Sequence, residues 1–510
     1  MHFACPFTRC PGCCSAVSRE PRLSTAVVLT RPGRTGLEVL LVRRNPALKF
    51  FGGYWAFPGG TIDEQDREGE PDSDATHRRC AARELFEETG VLLQGKGERP
   101  GDAEREEVRA SLLAEKPDQR WSRWISSGMV SVSGLRPFAR LTTPAFAPVR
   151  YRTRFVHTEL PPGEALDVRE GELVDGRFVD PSEFLREWRA GGLLVAPPVL
   201  HLLEILRGRD VEEFLEAAAS ICAANEAGAL HAIRNTPGVR MAPLLTPTIP
   251  PATTTNAYVV GEKDLFVVDP APYDEGERSR LVEFLVRLEG EGRNVKGVLV
   301  THHHQDHVGA IDTVARKFGV PVHAHPLTLQ RLPVPPDDPR PLDEGSRVEL
   351  GVAPDGSDDW HLIAHHTPGH DRGHLIFIES RYRAAIVGDL VSTLSTIVID
   401  PPEGHMATYV ASLERAEGLD LEMLYPAHGP ANPRGRAVLG KAIEHRQLRE
   451  RKVLGALSRD PQELGDVLAR AYDDVDPRLS GLAERSLIAG LEKLEEEGRV
   501  IRSGALWGLA

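Results

Sequence analysis

The chain has 510 residues, of which 41% are hydrophobic and 27% charged, and it carries a net charge of −14. That length calls for two to four domains, and the acidic balance excludes a general attraction to nucleic acid or anionic membranes. No apolar run reaches the roughly 18–20 residues of a spanning helix, and the N-terminus lacks the apolar stretch of a secretory signal, so a cytoplasmic location is expected.

In chain order, residues 1–20 read as a disordered leader or as the product of a start codon placed too far upstream. Cys5, Cys10, Cys13 and Cys14 crowd into it. Their C-x2-C spacing suits a small zinc knot, but the adjacent Cys13 and Cys14 make poor ligand geometry. Residues 21–208 alternate β-rich runs (STAVVLTR, LEVLLVRR) with turn clusters and one strong helix at 75–89. A helical connector, 209–239, follows, with DVEEFLEAAASICAANEAG capped by Asp210 and stopped near Gly228. Cys80 and Cys222 read as half-buried helix residues. The stretch LLTPTIPPATTTN breaks regular structure and opens a second β-rich domain, 240–435. Residues 440–510 are mainly helical and end in a hairpin, RVIRSGALWGLA.

The run GVLVTHHHQDHVGA sets an apolar strand, 297–300, before a cluster of imidazoles and one carboxylate, with a helix at roughly 308–318 behind it. His302, His304, Asp306 and His307 then occupy a loop at a strand's C-terminal end, where α/β folds expose ligands. Imidazoles two residues apart can face one cation, and the Asp306–His307 pair can turn toward a second. Three more strand ends deliver His370 (HTPGH), Asp389 (VGDL) and His428 (PAHGP), each beside a small residue that lets the backbone come close. With Asp306–His307 setting the register, His303 reads as a spacer. His374 is either a partner that orients a ligand or a histidine that stabilises the fold.

H-x-H-x-D-H at 302–307, T-P-G-H at 367–370, G-D at 388–389 and A-H-G at 427–429 resemble the metallo-β-lactamase superfamily in order and spacing. The resemblance implies an αββα sandwich. It also implies that His302, His304 and His370 bind one metal, that Asp306, His307 and His428 bind another, and that Asp389 bridges them. Two Zn2+ suit such a set, with iron or manganese as alternatives. Two cations about 3.5–4 Å apart can supply a metal-activated hydroxide that cleaves an ester, thioester or phosphodiester; Asp306 would orient it and take up a proton.

Three helices and a two-stranded wing at the C-terminus resemble a winged helix, found behind the metal domain in the superfamily branch that includes a mitochondrial endoribonuclease. RNA is therefore one candidate partner. Yet residues 441–510 hold 12 Lys+Arg against 13 Asp+Glu, without the cationic surplus that phosphate contacts need. A local stripe, Arg446, Arg449, Arg451 and Lys452, could still guide a backbone, although a solvated helix face is the reading favoured. Such wings also serve in dimers, so a homodimer stays open.

FPGGTIDEQD followed by AARELFEETGV is the second signal. Asp74 or Ser73 caps the helix and Gly90 ends it. Glu84, Glu87 and Glu88 stand at i, i+3 and i+4 on one face, opposite a buried face of Ala82, Leu85, Phe86 and Thr89. Like charges at that spacing destabilise a bare helix, and hard cations such as Mg2+ or Mn2+ relieve them; a solvated acidic face is the plain alternative. These residues resemble the Nudix box, an α/β/α sandwich family, with Arg83 to Val91 fitting each position and the branch resembling coenzyme A diphosphatases. The resemblance implies hydrolysis of a diphosphate linkage, Mg2+ at Glu84, Glu87 and Glu88 with the last two catalytic, and Arg83 orienting a carboxylate. Asp66 departs from the usual Glu, about nine extra residues follow it, and Glu172 is a weaker candidate ligand or base.

The whole reads as an α/β and α+β multidomain metallo-hydrolase acting on small-molecule diphosphates and on esters or thioesters, with no membrane partner. The alternative is a ligand-sensing regulator built from a Nudix-like domain and a winged helix, with little catalysis.

Overall fold

A computed structural model describes residues 20–34, 36–96, 98–114, 118–147 and 149–510. The four cysteines of the leader lie outside these. The chain divides into two units, one ending at Ala229 and the other running from Leu230 to Ala510.

The first unit is built on a seven-stranded mixed sheet. Its central strand, Arg22–Pro32, runs parallel to Tyr151–Glu159 and antiparallel to Leu37–Arg44. The carboxylate helix Asp74–Thr89 forms because Ser73, of the two candidates, caps the Thr76 amide, and it stops where Gly90 takes a left-handed φ of 72°. The helix Val211–Glu226 begins with a reciprocal capping box between Asp210 and Glu213. Its Phe214, Leu215, Ala218 and Cys222 pack into a core shared with the sheet. The helix within the helical connector expected at 209–239 thus packs with the first unit, and the chain divides at Ala229–Leu230. Cys80 and Cys222, expected to be half buried, are fully so.

The second unit holds two larger sheets. One has six strands, with Asn294–Leu299, Asp264–Val268 and Thr254–Val260 at its centre. The other has five, with Leu375–Glu379 in the middle and Leu424–Pro426 at one edge. The helices Glu275–Gly290 and Ile311–Phe318 pack on the first sheet, and Met406–Glu417 and Gly435–Ala456 on the second. Asn256 and Tyr258 of the first sheet both donate to the Pro426 carbonyl of the second. This is the αββα sandwich. The helix expected at 308–318 is split into Gln305–Val308 and Ile311–Phe318. The cause is the close approach of Gly309 to the Ala271–Pro272 backbone, where any Cβ would collide, with the Ala310 amide bonded to Pro270.

The C-terminal helices and wing form their own small core around Val467, Leu487, Leu491 and Trp507. The wing has three strands rather than two, because Gln462–Glu463 adds to the hairpin. Three of the four residues of the basic stripe are engaged internally, while Arg451 is exposed: Arg446 is buried, Arg449 pairs with Asp474 and lies over Tyr472, and Lys452 pairs with Asp473.

Candidate functional site

All seven residues expected in the central domain come together at the strand ends. His302 Nε2 and His370 Nε2 lie 3.1 and 2.9 Å from His304 Nδ1. Beside them, His428 Nε2 is 3.4 Å from Asp306 Oδ2 and 3.4 Å from Asp389 Oδ1, and His307 Nε2 is 3.7 Å from the same Asp389 oxygen. The second oxygen of Asp389 is 3.6 Å from His370 Nε2. One carboxylate thus faces both groups. Three-membered sets from each group are close enough to hold an ion.

The outer nitrogens explain why these rings point inward. His307 Nδ1 donates to the Asp269 carboxylate at 2.9 Å, His370 Nδ1 to the Val398 carbonyl at 2.9 Å and His428 Nδ1 to the Thr254 carbonyl at 3.1 Å. Thr301 donates its hydroxyl to Asp269 and so accepts from His302 Nδ1 at 3.0 Å. In its neutral form each of these four imidazoles therefore carries its lone pair on the inward Nε2, as metal-binding histidines do.

The electrostatics fit cations. Burial, reinforced by the neighbouring rings, holds His302 well below the usual imidazole range and His304 at about 3. Burial would lower His428 too, but Asp389 and Asp306 outweigh it and raise it to about 10. Burial would raise Asp306, but His307 and His428 bring it down to about 2. His307 Nε2 and Asp389 Oδ1 are buried without a hydrogen-bond partner. Inward lone pairs, two carboxylates and orphaned polar atoms form a donor set that suits two divalent ions.

His303, expected to be a spacer, pairs with Asp371 at 2.5 Å, and the two gather with His304 in a further three-membered set. His374 accepts from the Asp389 amide at 3.1 Å and bonds Thr367 at 2.8 Å, so it fixes the backbone of that carboxylate. Asp269 was missed by the sequence reading; the only signal was an aspartate closing the strand DLFVVD, and its φ of 47° marks a strained position. A separate trio, His325, Asp343 and His366, also gathers. Its two rings stack at 4.4 Å and 8°, which keeps their in-plane lone pairs from converging on one ion.

In the first unit, Glu84 is buried rather than solvated, which removes the plain acidic-face reading. Gly60 leaves the space that the Glu84 carboxylate fills, since a Cβ there would collide with it, and the Gly59 amide donates to Glu88 at 2.9 Å. Arg83 is the hub, reaching Asp66 at 2.8 Å, Glu84 at 2.9 Å and Glu87 at 3.1 Å. Asp66 is fully buried in that pairing, so the shorter side chain still serves as the partner of Arg83. Burial raises all three glutamates, Glu84 to about 7, and neighbouring carboxylates add to it. Such crowding of carboxylates is what a hard cation relieves. Glu172 is exposed, contributing charge to Glu87 but no contact to the cluster.

The fold and the paired donor groups define a metallo-hydrolase, and the comparisons agree. The metallo-beta-lactamase superfamily matches residues 250–428, the NUDIX domain residues 20–194, and the beta-lactamase associated winged helix domain residues 464–507. The chain belongs to the metallo-beta-lactamase superfamily, with a Nudix domain before the metal domain and a winged helix after it. It is 29% identical to a beta-lactamase-like protein 2 homolog of Caenorhabditis elegans over 48% of this chain and 80% of that protein. It is 30% identical to the hydroxyacylglutathione hydrolase GloC of Haemophilus influenzae over 30% of this chain and 73% of that protein. It is 28% identical to a protein of C. elegans named "Putative nudix hydrolase 7" over 38% of this chain and 62% of that protein. No helix among the described residues is long and apolar enough to cross a membrane.

Proposed function

We propose that the central site is dinuclear and hydrolyses a small-molecule ester or thioester. His302, His304 and His370 would hold one ion, Asp306, His307 and His428 the other, and Asp389 both. The observation that carries this reading is Asp389, whose two oxygens face the two donor groups separately. When bound, the metals supply an acidified water and polarise the bond under attack. Asp306 would orient that water and accept its proton, while the outer partners of His302, His307, His370 and His428 would leave the inward Nε2 of each ring to face the metals. Zinc fits the imidazole-rich set best, with iron or manganese as the alternatives. A thioester is favoured over a phosphodiester for two reasons: a relative is named as a hydroxyacylglutathione hydrolase, and Arg446, Arg449 and Lys452 of the basic stripe are engaged internally.

In the first unit, Glu84, Glu87 and Glu88 would hold Mg2+ or Mn2+ for hydrolysis of a diphosphate linkage, with Arg83 fixing Glu84 and Glu87. Elemental analysis of the purified chain, beside a panel of thioester, phosphodiester and diphosphate substrates, tests both sites. Close to two transition metals per chain and metal-dependent turnover of a thioester are expected. Absence of bound metal, with no stabilisation by added zinc, would refute the reading of the central site.

A further inference from the structure

The loop 389–400 has no regular secondary structure, yet it touches three of the seven candidate ligands. It starts at Asp389. Its Val398 carbonyl orients His370. Ser392 and Thr393 donate to the His428 carbonyl at 3.2 and 3.3 Å. A loop without a backbone ladder keeps its place through side-chain bonds, so what pins it also fixes the spacing of the metal donors.

Two residues pin it from outside. Tyr409, fully buried on the helix Met406–Glu417, donates its hydroxyl to the Leu390 carbonyl at 2.8 Å. Arg446, buried on the long helix Gly435–Ala456, donates to the Ile397 carbonyl and lies over the Tyr409 ring at 5.0 Å. Arg446 shares a helix face with Leu439 and Ile443, which pack in the same core as Leu390, Val391 and Ile397. The Tyr409 backbone also closes on Gly369, where a Cβ would collide, and Ser412 donates to the Pro368 carbonyl at 2.7 Å. The turn that presents His370 is thus gripped by the same helix.

We infer that Arg446 and Tyr409 form a brace that positions Asp389 and His370 for metal binding, so that the helix joining the metal domain to the winged helix is part of the metal site's support. Arg446 lies outside both flanking family matches. It acts through Ile397 and Tyr409 and is a positioning residue rather than a catalytic one. The guanidinium contributes a charge-assisted bond and a cation–π contact together.

This inference rests on the proposed metal site, and the experiment separates the two. Zinc alone is titrated into the full-length, metal-free chain against a chelator, for wild type, Arg446→Met, Arg446→Lys, Tyr409→Phe and the exposed control Lys441→Met; thermal unfolding is recorded in the metal-free state. Arg446→Met and Tyr409→Phe should each weaken zinc binding 10–100-fold, the range typical for partners that orient ligands. Their metal-free unfolding should stay close to the control, and Arg446→Lys should recover part of the loss. If Arg446→Met fails to fold, Tyr409→Phe, which removes one hydroxyl only, carries the test. Wild-type zinc affinity in Tyr409→Phe and Arg446→Met overturns the brace, as does a lowered metal-free stability with unchanged zinc binding. A wild-type chain that binds no zinc overturns the metal-site reading beneath it.

Discussion

Asp269→Asn should weaken both metal positions at once. The carboxylate receives three donors: the Thr301 amide at 2.8 Å, the Thr301 hydroxyl at 2.6 Å and His307 Nδ1 at 2.9 Å. Asparagine offers one oxygen. If that oxygen keeps the Thr301 amide, the new NH2 faces two donors, and His307 must move its proton to the inward Nε2, where it blocks a metal. The Thr301 hydroxyl must also rotate, which releases His302 Nδ1. One substitution therefore disturbs an imidazole of each proposed subsite. Loss of such an orienting partner costs about 10–100-fold in metal affinity, or roughly 1.4–2.7 kcal/mol. Thr301→Val removes only the hydroxyl relay and should affect the His302 position alone. A two-step zinc titration with a chromogenic chelator reads both constants. If Asp269→Asn keeps either constant at the wild-type value, the hydrogen-bond chain does not govern the imidazole tautomers.

Asp389→Asn should abolish most turnover of a thioester substrate while the circular dichroism stays native, whereas His303→Ala should lower turnover little; the reverse order would mean that the ligand register is wrong. Glu87→Gln should remove magnesium-dependent diphosphate hydrolysis with the zinc content unchanged, as elemental analysis would report; a loss of zinc would show that the two sites are not independent. His157, buried against Thr30 with burial holding it down to about 4, binds its proton more weakly folded than unfolded, so its stabilising effect is complete above about pH 6.5 and declines as pH falls toward 4. At pH 5 that is about 2 kcal/mol by linkage, so His157→Gln should narrow the difference in urea stability between pH 7.5 and pH 5; an unchanged difference would show that His157 is not buried as a neutral ring.

How much could be read from the residues alone depended on whether each contact is local in sequence. The metal motifs were legible because every candidate ligand follows an apolar strand, and His370, Asp389 and His428 each stand beside a small residue, a pattern carried within five or six positions. The carboxylate helix was legible for the same reason: Ser73, Gly90 and the i, i+3, i+4 glutamates all lie inside one helix. Asp269 was not, since its partners Thr301 and His307 lie on another strand end and a lone aspartate after FVV carries no spacing signal. The break at Gly309 was hidden likewise, because the crowding comes from the Ala271–Pro272 backbone. The basic stripe on the helix Gly435–Ala456 was read as a solvated face for a related reason: charge counts do not tell that Arg446 points inward to a carbonyl while Arg449 and Lys452 are claimed by Asp473 and Asp474. Local chemistry named the candidate ligands, but the residues that hold them in register come from distant parts of the chain, and these set whether seven donors make two metal positions or merely a cluster of histidines.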